Sequence, residues 1–267
     1  MFNRIRNRLP VPQSADGLIP DIADADLPPE LQELYEEWNQ SGQGAALSEG
    51  EAAGSEWPVS IFVPERYEER YAYPLVIWFH GDGADEDQLE GVMHAISPQN
   101  YVGLGLRGNQ ECLHGGFKWN SSSLRFGSLP LLDLLHVTAC RMRRAFHIHS
   151  ERIFVGGSDF GAAVALQVLT ERPEWFAGGV LLNPCWSPGD SHLERLTNLR
   201  GMPVLHAVAR CATDKNLARN VETVRLLRSA GTRLTVELFD QLPDVESPEV
   251  RFVDHWLMSQ LNQPAMA

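Results

Sequence analysis

Lysine is almost absent from this chain: of 22 basic residues only Lys118 and Lys215 are lysines, against 35 acidic ones, for a formal charge of -13 at pH 7. Polyanions are held by clustered cations, so nucleic acid and anionic membrane surfaces are not expected as partners. Long apolar runs are missing too. None approaches the ~20 residues that cross a bilayer, and no membrane span is expected. The opening stretch, Met1-Phe2-Asn3-Arg4-Ile5-Arg6, lacks the continuous apolar core of a secretory signal, so the expected location is cytoplasmic. Cysteine is sparse: Cys112, Cys140, Cys185 and Cys211 are widely spaced with no metal-ligand pairing, which predicts reduced thiols rather than a disulfide framework. No metal, no cofactor and no internal repeat is expected.

What is present is enough for one large α/β domain: 267 residues, 43% of them hydrophobic. Residues 1–55 are rich in Pro, Asp, Glu, Gly and Ser and read as an acidic extension. Within it Leu31, Leu34, Tyr35 and Trp38 recur at helical spacing after Pro28 and Pro29, giving one short amphipathic helix fit to dock on the domain, on a protein partner or on a second copy of the chain. Ser41 to Glu56 reads as a linker. From 56 to 267, apolar β-type runs alternate with helical patterns, predicting a mostly parallel twisted sheet with helices on both faces. The expected strands are Val59–Val63, Leu75–Phe79, Tyr101–Leu106, Ile153–Gly156, Gly179–Leu182, Val204–Ala209 and Leu234–Phe239. Helices are expected near Glu86–Ile96, Leu129–Phe146, Phe160–Glu171, Leu217–Ser229 and Pro248–Leu261. Two connections, Arg107–Ser123 and Asn183–Gly201, are long enough to build a binding site at the carboxyl ends of strands.

One turn carries most of the chemical information. Arg152 to Leu166 has the strand, sharp turn and helix of the G-x-S-x-G nucleophile elbow, but Ser158 and Asp159 are adjacent and only one can stand at its apex. The positions two before and two after the apex must be tiny, because strand and helix backbones nearly touch there. Centred on Asp159 they are Gly157 and Gly161. Centred on Ser158 they are Gly156 and Phe160, and a phenyl ring does not fit that contact. The apex normally has φ above zero, which Asp tolerates, and its carboxylate would lie over a helix N-terminus that favours negative charge. An Asp kept only as a helix cap is the competing explanation.

With this elbow go Tyr73-Pro-Leu-Val-Ile-Trp-Phe-His-Gly-Asp-Gly, the run Tyr101-Val-Gly-Leu-Gly-Leu-Arg-Gly, the strand followed by Asp214, and a closing helix around Trp256. In this order the motifs resemble the phospholipase/carboxylesterase-type members of the α/β-hydrolase superfamily. The resemblance implies the α/β-hydrolase fold and an oxyanion hole made by the backbone N–H groups of Asp82 and Phe160. It places the triad acid at Asp214, for which a helix N-cap is the alternative. Gly81 and Gly83 can equally serve a plain turn, with Asp85, Glu86 and Asp87 as acids suited to a first helical turn rather than to a metal. The family's general base, a His on the loop after the last strand, falls on Pro243 in Phe239-Asp-Gln-Leu-Pro-Asp-Val-Glu-Ser-Pro, and that loop has no histidine. His255 lies inside the closing helix; His114 and His192 lie in the two long loops.

A serine hydroxyl is a poor nucleophile until a base takes its proton. An aspartate apex is already anionic at neutral pH, but relatives that attack saturated carbon with it still need His to activate water. Asp159 and Asp214 would also face one pocket with no imidazolium between them, so a carboxyl holds its proton or a cation such as Arg107 intervenes. The expectation is a pseudo-hydrolase serving as a small-molecule-binding or interaction module. The alternative is an active hydrolase, through Ser158 on an ester or Asp159 on a saturated carbon.

Overall fold

In the computed structural model the described residues are 4–6, 57–120, 125–126, 129–185, 193–209, 214–240 and 244–262. The larger of two compact units, residues 1–8, 58–124 and 146–267, is built on one eight-stranded sheet. Its strands in chain order are β1 Arg4–Arg6, β2 Val59–Phe62, β3 Tyr73–Phe79, β4 Val102–Leu106, then, after a small separate hairpin of β5 Gln110–Glu111 and β6 Phe117–Lys118, β9 Ile148–Ser158, β10 Gly178–Leu182, β11 Pro203–Ala209 and β12 Arg233–Phe239. Across the sheet the order is β1-β2-β4-β3-β9-β10-β11-β12. The β1–β2 and β2–β4 pairings are antiparallel and all others are parallel. The smaller unit, residues 9–57 and 125–145, contains the short ladder of β7 Arg125–Phe126 with β8 Leu129–Pro130 and helix α2, Leu131–Ala145. Helix α2 buries Leu131, Leu134, Leu135, Thr138 and Met142, the stripe its helical period predicts.

The central strands are apolar end to end because both faces of the sheet are covered. Every residue of β3, β4 and β11 is buried. One face carries Val76, Trp78, Phe154, Val180, Leu182, Leu205 and Ala207 against Leu89, Val92, Met93 and Ile96 of helix α1, Gln88–Ile96, and Val253, Trp256 and Leu257 of helix α5, Arg251–Leu261. The other face receives helix α3, Phe160–Glu171, whose Leu169 lies against Gly179, and helix α4, Asp214–Ser229. A strand has period two, so Val180 faces one helical layer and Gly179 the other.

Several boundaries differ from the sequence expectation. Strand β9 begins at Ile148 rather than Ile153, because Ile148 pairs with Tyr73 across a register shift and carries the polar His149–Arg152 segment out past the core. The stretch Leu129–Phe146 opens as β8 before α2 starts at Leu131, helix α1 starts at Gln88, and α4 starts at Asp214. Pro248–Val250 is a 3-10 turn ahead of α5. The long connection after Arg107 folds back as the β5–β6 hairpin, and the one after Asn183 contains a 3-10 segment, Leu193–Leu199. Residues 4–6, expected in the extension, pair as an edge strand with Ile5 opposite Ile61. The expected helix around Leu31–Trp38 and the linker at 41–56 lie outside the described residues.

Candidate functional site

Strand β9 ends at Ser158, helix α3 begins at Phe160, and the single residue between them, Asp159, has φ 52 and ψ -118. That backbone is costly for a residue with a Cβ and is held by contacts around it. A Cβ on Gly157 would stand 2.6 Å from the Gly161 carbonyl carbon and the Phe79 oxygen, and one on Gly161 would run into the carbonyl oxygens of Phe79 and His80. The tiny residues therefore flank Asp159 at the point where β9, α3 and the end of β3 meet. Ser158 is the last strand residue, 3% exposed, in register with Leu182.

The Asp159 side chain is half-buried. Its Oδ1 accepts from Asn183 Nδ2 at 3.2 Å, and Asn183 Oδ1 accepts from Asn220 Nδ2 at 3.4 Å. Asn183, with φ 49, and Asp159 are the non-glycine residues with positive φ among the described residues. Burial raises the Asp159 pKa and the Asn183 bond pulls it partly back. Asp82 is the neighbouring acid that feels this site: burial first and the Asp159 charge second raise its pKa, with Lys118 opposing. Asp214 opens α4, whereas Pro243 and His192 lie outside the described residues.

The backbone amides of Asp82 and Phe160 have no acceptor among the described residues, and the loop that presents Asp82 is firmly braced. Gly81 N–H donates to Gln88 Oε1, Ala84 N–H to Gly81 O, and Gly83 N–H to Phe117 O. His80 is 1% exposed. Its Nε2 accepts from Gly108 N–H at 2.9 Å, so the ring proton sits on Nδ1 and is donated to Gly81 O at 2.7 Å. Burial lowers its pKa. With both nitrogens committed to backbone, this imidazole braces the loop and has nothing left to offer the apex. His114 is exposed on the β5–β6 hairpin and His255 is exposed on α5.

Arg107 does not serve as the counter-ion expected for Asp159. Its guanidinium donates to both oxygens of Glu86, at 2.7 and 2.5 Å, and lies 4.6 Å from the centroid of the Phe117 ring. The reason is position: β4 delivers Arg107 beside the start of α1, where the acids at 85–87 gather.

Three polar residues near the apex went unmarked in the sequence. Asn183 begins a loop and Asn220 lies on α4; neither type signals chemistry. Cys185 N–H donates to Asp159 O at 3.1 Å, and burial followed by the Asp159 and Asp82 charges raises the pKa of its thiol, which makes it a weak nucleophile. A fourth residue, His206, is fully buried on β11 with neither ring nitrogen bonded among the described residues. Burial pushes its pKa down to about 4, and the Asn220 side chain, close but outside hydrogen-bonding geometry, offsets part of that.

Known structures place this architecture. A carboxylesterase from Mesorhizobium loti shares 19% identity with a TM-score of 0.56, over 78% of this chain and 97% of its own. The Bacillus cereus carboxylesterase gives 19% and 0.57, over 78% and 96%. An esterase from Rhizomucor miehei gives 15% and 0.56, over 91% and 94%. No protein-family model and no curated protein matches the chain. The chain has the α/β-hydrolase fold, in the form seen in carboxylesterases and esterases.

Proposed function

We propose that this carboxylesterase-like α/β-hydrolase domain binds a small molecule at its elbow without hydrolysing it. The observation that carries the reading is the apex itself: an Asp in the strained position, hydrogen-bonded to an asparagine instead of an imidazole. Hydrolysis through an acyl-enzyme needs a nucleophile, a base to take and return its proton, and donors for the oxyanion. The amides of Asp82 and Phe160, which have no acceptor among the described residues, would supply the last of these. Attack by the Asp159 carboxylate on an ester would form an anhydride, and among the described residues no base stands ready to activate water. Ser158 follows the ordinary strand backbone one residue earlier, and His80, the nearest imidazole along the chain to the Asp82 loop, is tied to Gly81 and Gly108. The free thiols of Cys112, Cys140 and Cys185 fit a reducing, cytoplasmic setting. Among the described residues no helix is long and apolar enough to cross a membrane.

A serine-directed fluorophosphonate probe and a panel of short-chain aryl esters are expected to give neither labelling nor turnover. Labelling that disappears in Ser158→Ala would overturn the reading in favour of a serine hydrolase. An alkyl ester found on Asp159 by mass spectrometry after epoxide or haloalkane treatment would overturn it in favour of attack on saturated carbon.

The apex also has a predicted stability signature. Because the folded-state pKa of Asp159 is raised, the folded protein binds this proton more tightly than the unfolded chain does. The carboxylate therefore destabilises the fold above that pKa, and the penalty fades as pH falls toward the ordinary value of 3.8. Asp159→Asn keeps an acceptor for Asn183 and suits a positive φ. It is expected to raise the melting temperature at pH 7 by about 2–4 °C, the response to roughly 1 kcal/mol in a domain of this size. The gain should vanish near pH 4. Differential scanning calorimetry at both pH values checks it, and an unchanged or lower melting temperature at pH 7 refutes it.

A further inference from the structure

We propose that His206 is a positioning residue for the apex: its neutral ring donates to the Asn220 amide and closes a buried relay, His206 to Asn220 to Asn183 to Asp159, whose last donor holds the carboxylate in place. The proposal rests on the reading of Asp159 as the group that meets a ligand, and it adds how that group is kept ionised and aimed.

The β-ladder sets the side of the sheet on which the ring lies. Leu205 and Ala207 belong to the face covered by α1 and α5, so His206 between them points to the face covered by α3 and α4. There it is flanked in register by Leu181 and Val236 and is 0% exposed. Neither ring nitrogen has a partner among the described residues. Buried polar groups in folded proteins are hydrogen-bonded, because a dry interior gives nothing back for the water they lose. Helix α4 meets this face with Asn220, Thr223 and Leu227, all buried and spaced by three and four residues. Leu227 is apolar, and Thr223 turns its hydroxyl back to Arg219 O at 2.9 Å. Asn220 is thus the polar side chain that this stripe brings to the ring, and it lies close beside it. A side-chain rotation that completes the bond costs less than a buried imidazole left without one.

The acid fixes the direction of the chain. An ionised carboxylate only accepts, so Asn183 turns its Nδ2 to Asp159 Oδ1, at 3.2 Å. Its Oδ1 is left to accept from Asn220 Nδ2, at 3.4 Å. The Asn220 amide then presents its oxygen to whatever follows, and the next group has to be a donor. A neutral imidazole carries one N–H and meets that need, and burial keeps the His206 ring neutral at pH 7 by pushing its pKa down to about 4. The backbone supports the same alignment: Asn183, at φ 49, donates its N–H to Ala207 O beside His206, and Asp159 donates its own to Leu182 O. With every donor pointing toward the apex, each bond polarises the next. Without the far donor the amides are free to turn over, which sets an oxygen against the carboxylate. Asp82 and the Cys185 thiol face Asp159 with Lys118 and Arg219 beyond them, and all four lie outside the relay.

The test follows the Asp159 carboxyl carbon through its titration by NMR, in the full parent chain and in His206→Phe, His206→Gln and Asn220→Leu, each with its fold verified by its melting curve. His206→Phe keeps an aromatic ring without a donor, and its Asp159 midpoint is expected to move up by about half a pH unit or more, as an acid does when a donor to its charged form weakens. Asn220→Leu should move it at least as far. His206→Gln offers an N–H again and should stay with the parent. A purely structural His206 would lower the melting temperature in these variants and leave the midpoint where it was. In the parent at pH 7 the ring nitrogen signals should be those of one neutral tautomer, and the protonated nitrogen should respond as Asp159 titrates, a readout that needs no variant to fold. An unmoved midpoint in His206→Phe or Asn220→Leu, a midpoint in His206→Gln that follows the Phe variant, or ring nitrogens indifferent to Asp159 would each overturn the proposal. No ligand or ester enters this test, so its failure leaves the non-hydrolytic reading intact, whereas covalent labelling at Ser158 or Asp159 would defeat that reading and leave the relay standing.

Discussion

Gly161→Ala is expected to cost more than about 3 kcal/mol and to lower the melting temperature by about 10 °C or more, the upper end of what one methyl group does to a domain. The added carbon would enter the space held by the carbonyl oxygens of Phe79 and His80. Those oxygens belong to backbone. Phe79 ends a fully buried central strand paired on both sides, and His80 is fixed through its ring to Gly81 and Gly108, so neither can step back as a flexible side chain would. Relief must come from pushing α3 off the sheet, which also pulls on Asp159. Gly157→Ala meets the same junction from the strand side, with contacts of 2.6 Å, and should behave alike. Gly83→Ala is the control. Its φ of 80 is unfavourable for alanine but the space around it is open, so a loss of about 1 kcal/mol is expected. Denaturant midpoints at unchanged slope measure all three. If Gly161→Ala melts within a degree or two of the parent, the three elements do not touch where this geometry puts them.

That junction explains why the elbow was legible in the sequence. A close approach of two backbones is a steric rule about residue size at fixed offsets, so Gly157 and Gly161 mark the turn wherever the rest of the chain goes. The sheet was legible for a similar reason: strands covered on both faces must be apolar, and β3, β4 and β10 are throughout, as is β11 apart from His206. What surrounds the apex follows no local rule. Asn183 comes from the end of β10 and Asn220 from the middle of α4, and their contact with Asp159 depends on how the two crossovers pack. His206 lies inside the apolar run Val204–Ala209, where alternation says core and nothing says that an imidazole there ends beside Asn220. Arg107 was legible as a cation at a strand end but not as a partner of Glu86, 21 residues earlier. Glu86 satisfied a helix-start rule by itself, which concealed its second role. The polar start of β9 was missed because tertiary pairing, here Tyr73 with Ile148, overrides a sequence that reads as a turn.

Arg107→Met should be the most damaging side-chain substitution outside the apolar core, at about 3 kcal/mol, because of what it leaves behind. The Glu86 side chain is 6% exposed and the Arg107 side chain 32%. Removing the guanidinium strands a buried carboxylate, and breaking a buried pair from one side typically costs about 3–5 kcal/mol. Removing the charge from the other end, Glu86→Gln, leaves an arginine that water can still reach, and about 1 kcal/mol is the expected loss. The asymmetry separates desolvation from attraction: if the ion pair acted through Coulomb energy alone, both single variants would lose the same amount. Replacing both residues, Arg107→Met with Glu86→Leu, should recover part of the deficit, since no charge is then left in the dry site. The damage has a predicted location as well. Arg107 lies over Phe117, and Phe117 exchanges backbone hydrogen bonds with the elbow-facing loop, Gly83 N–H to Phe117 O and Phe117 N–H to Ala84 O. Hydrogen exchange in Arg107→Met should therefore quicken first at Gly83 and Phe117, ahead of the β3 and β9 amides. Uniform acceleration across the sheet would mean that the pair supports the whole fold evenly and does not single out the loop that presents Asp82.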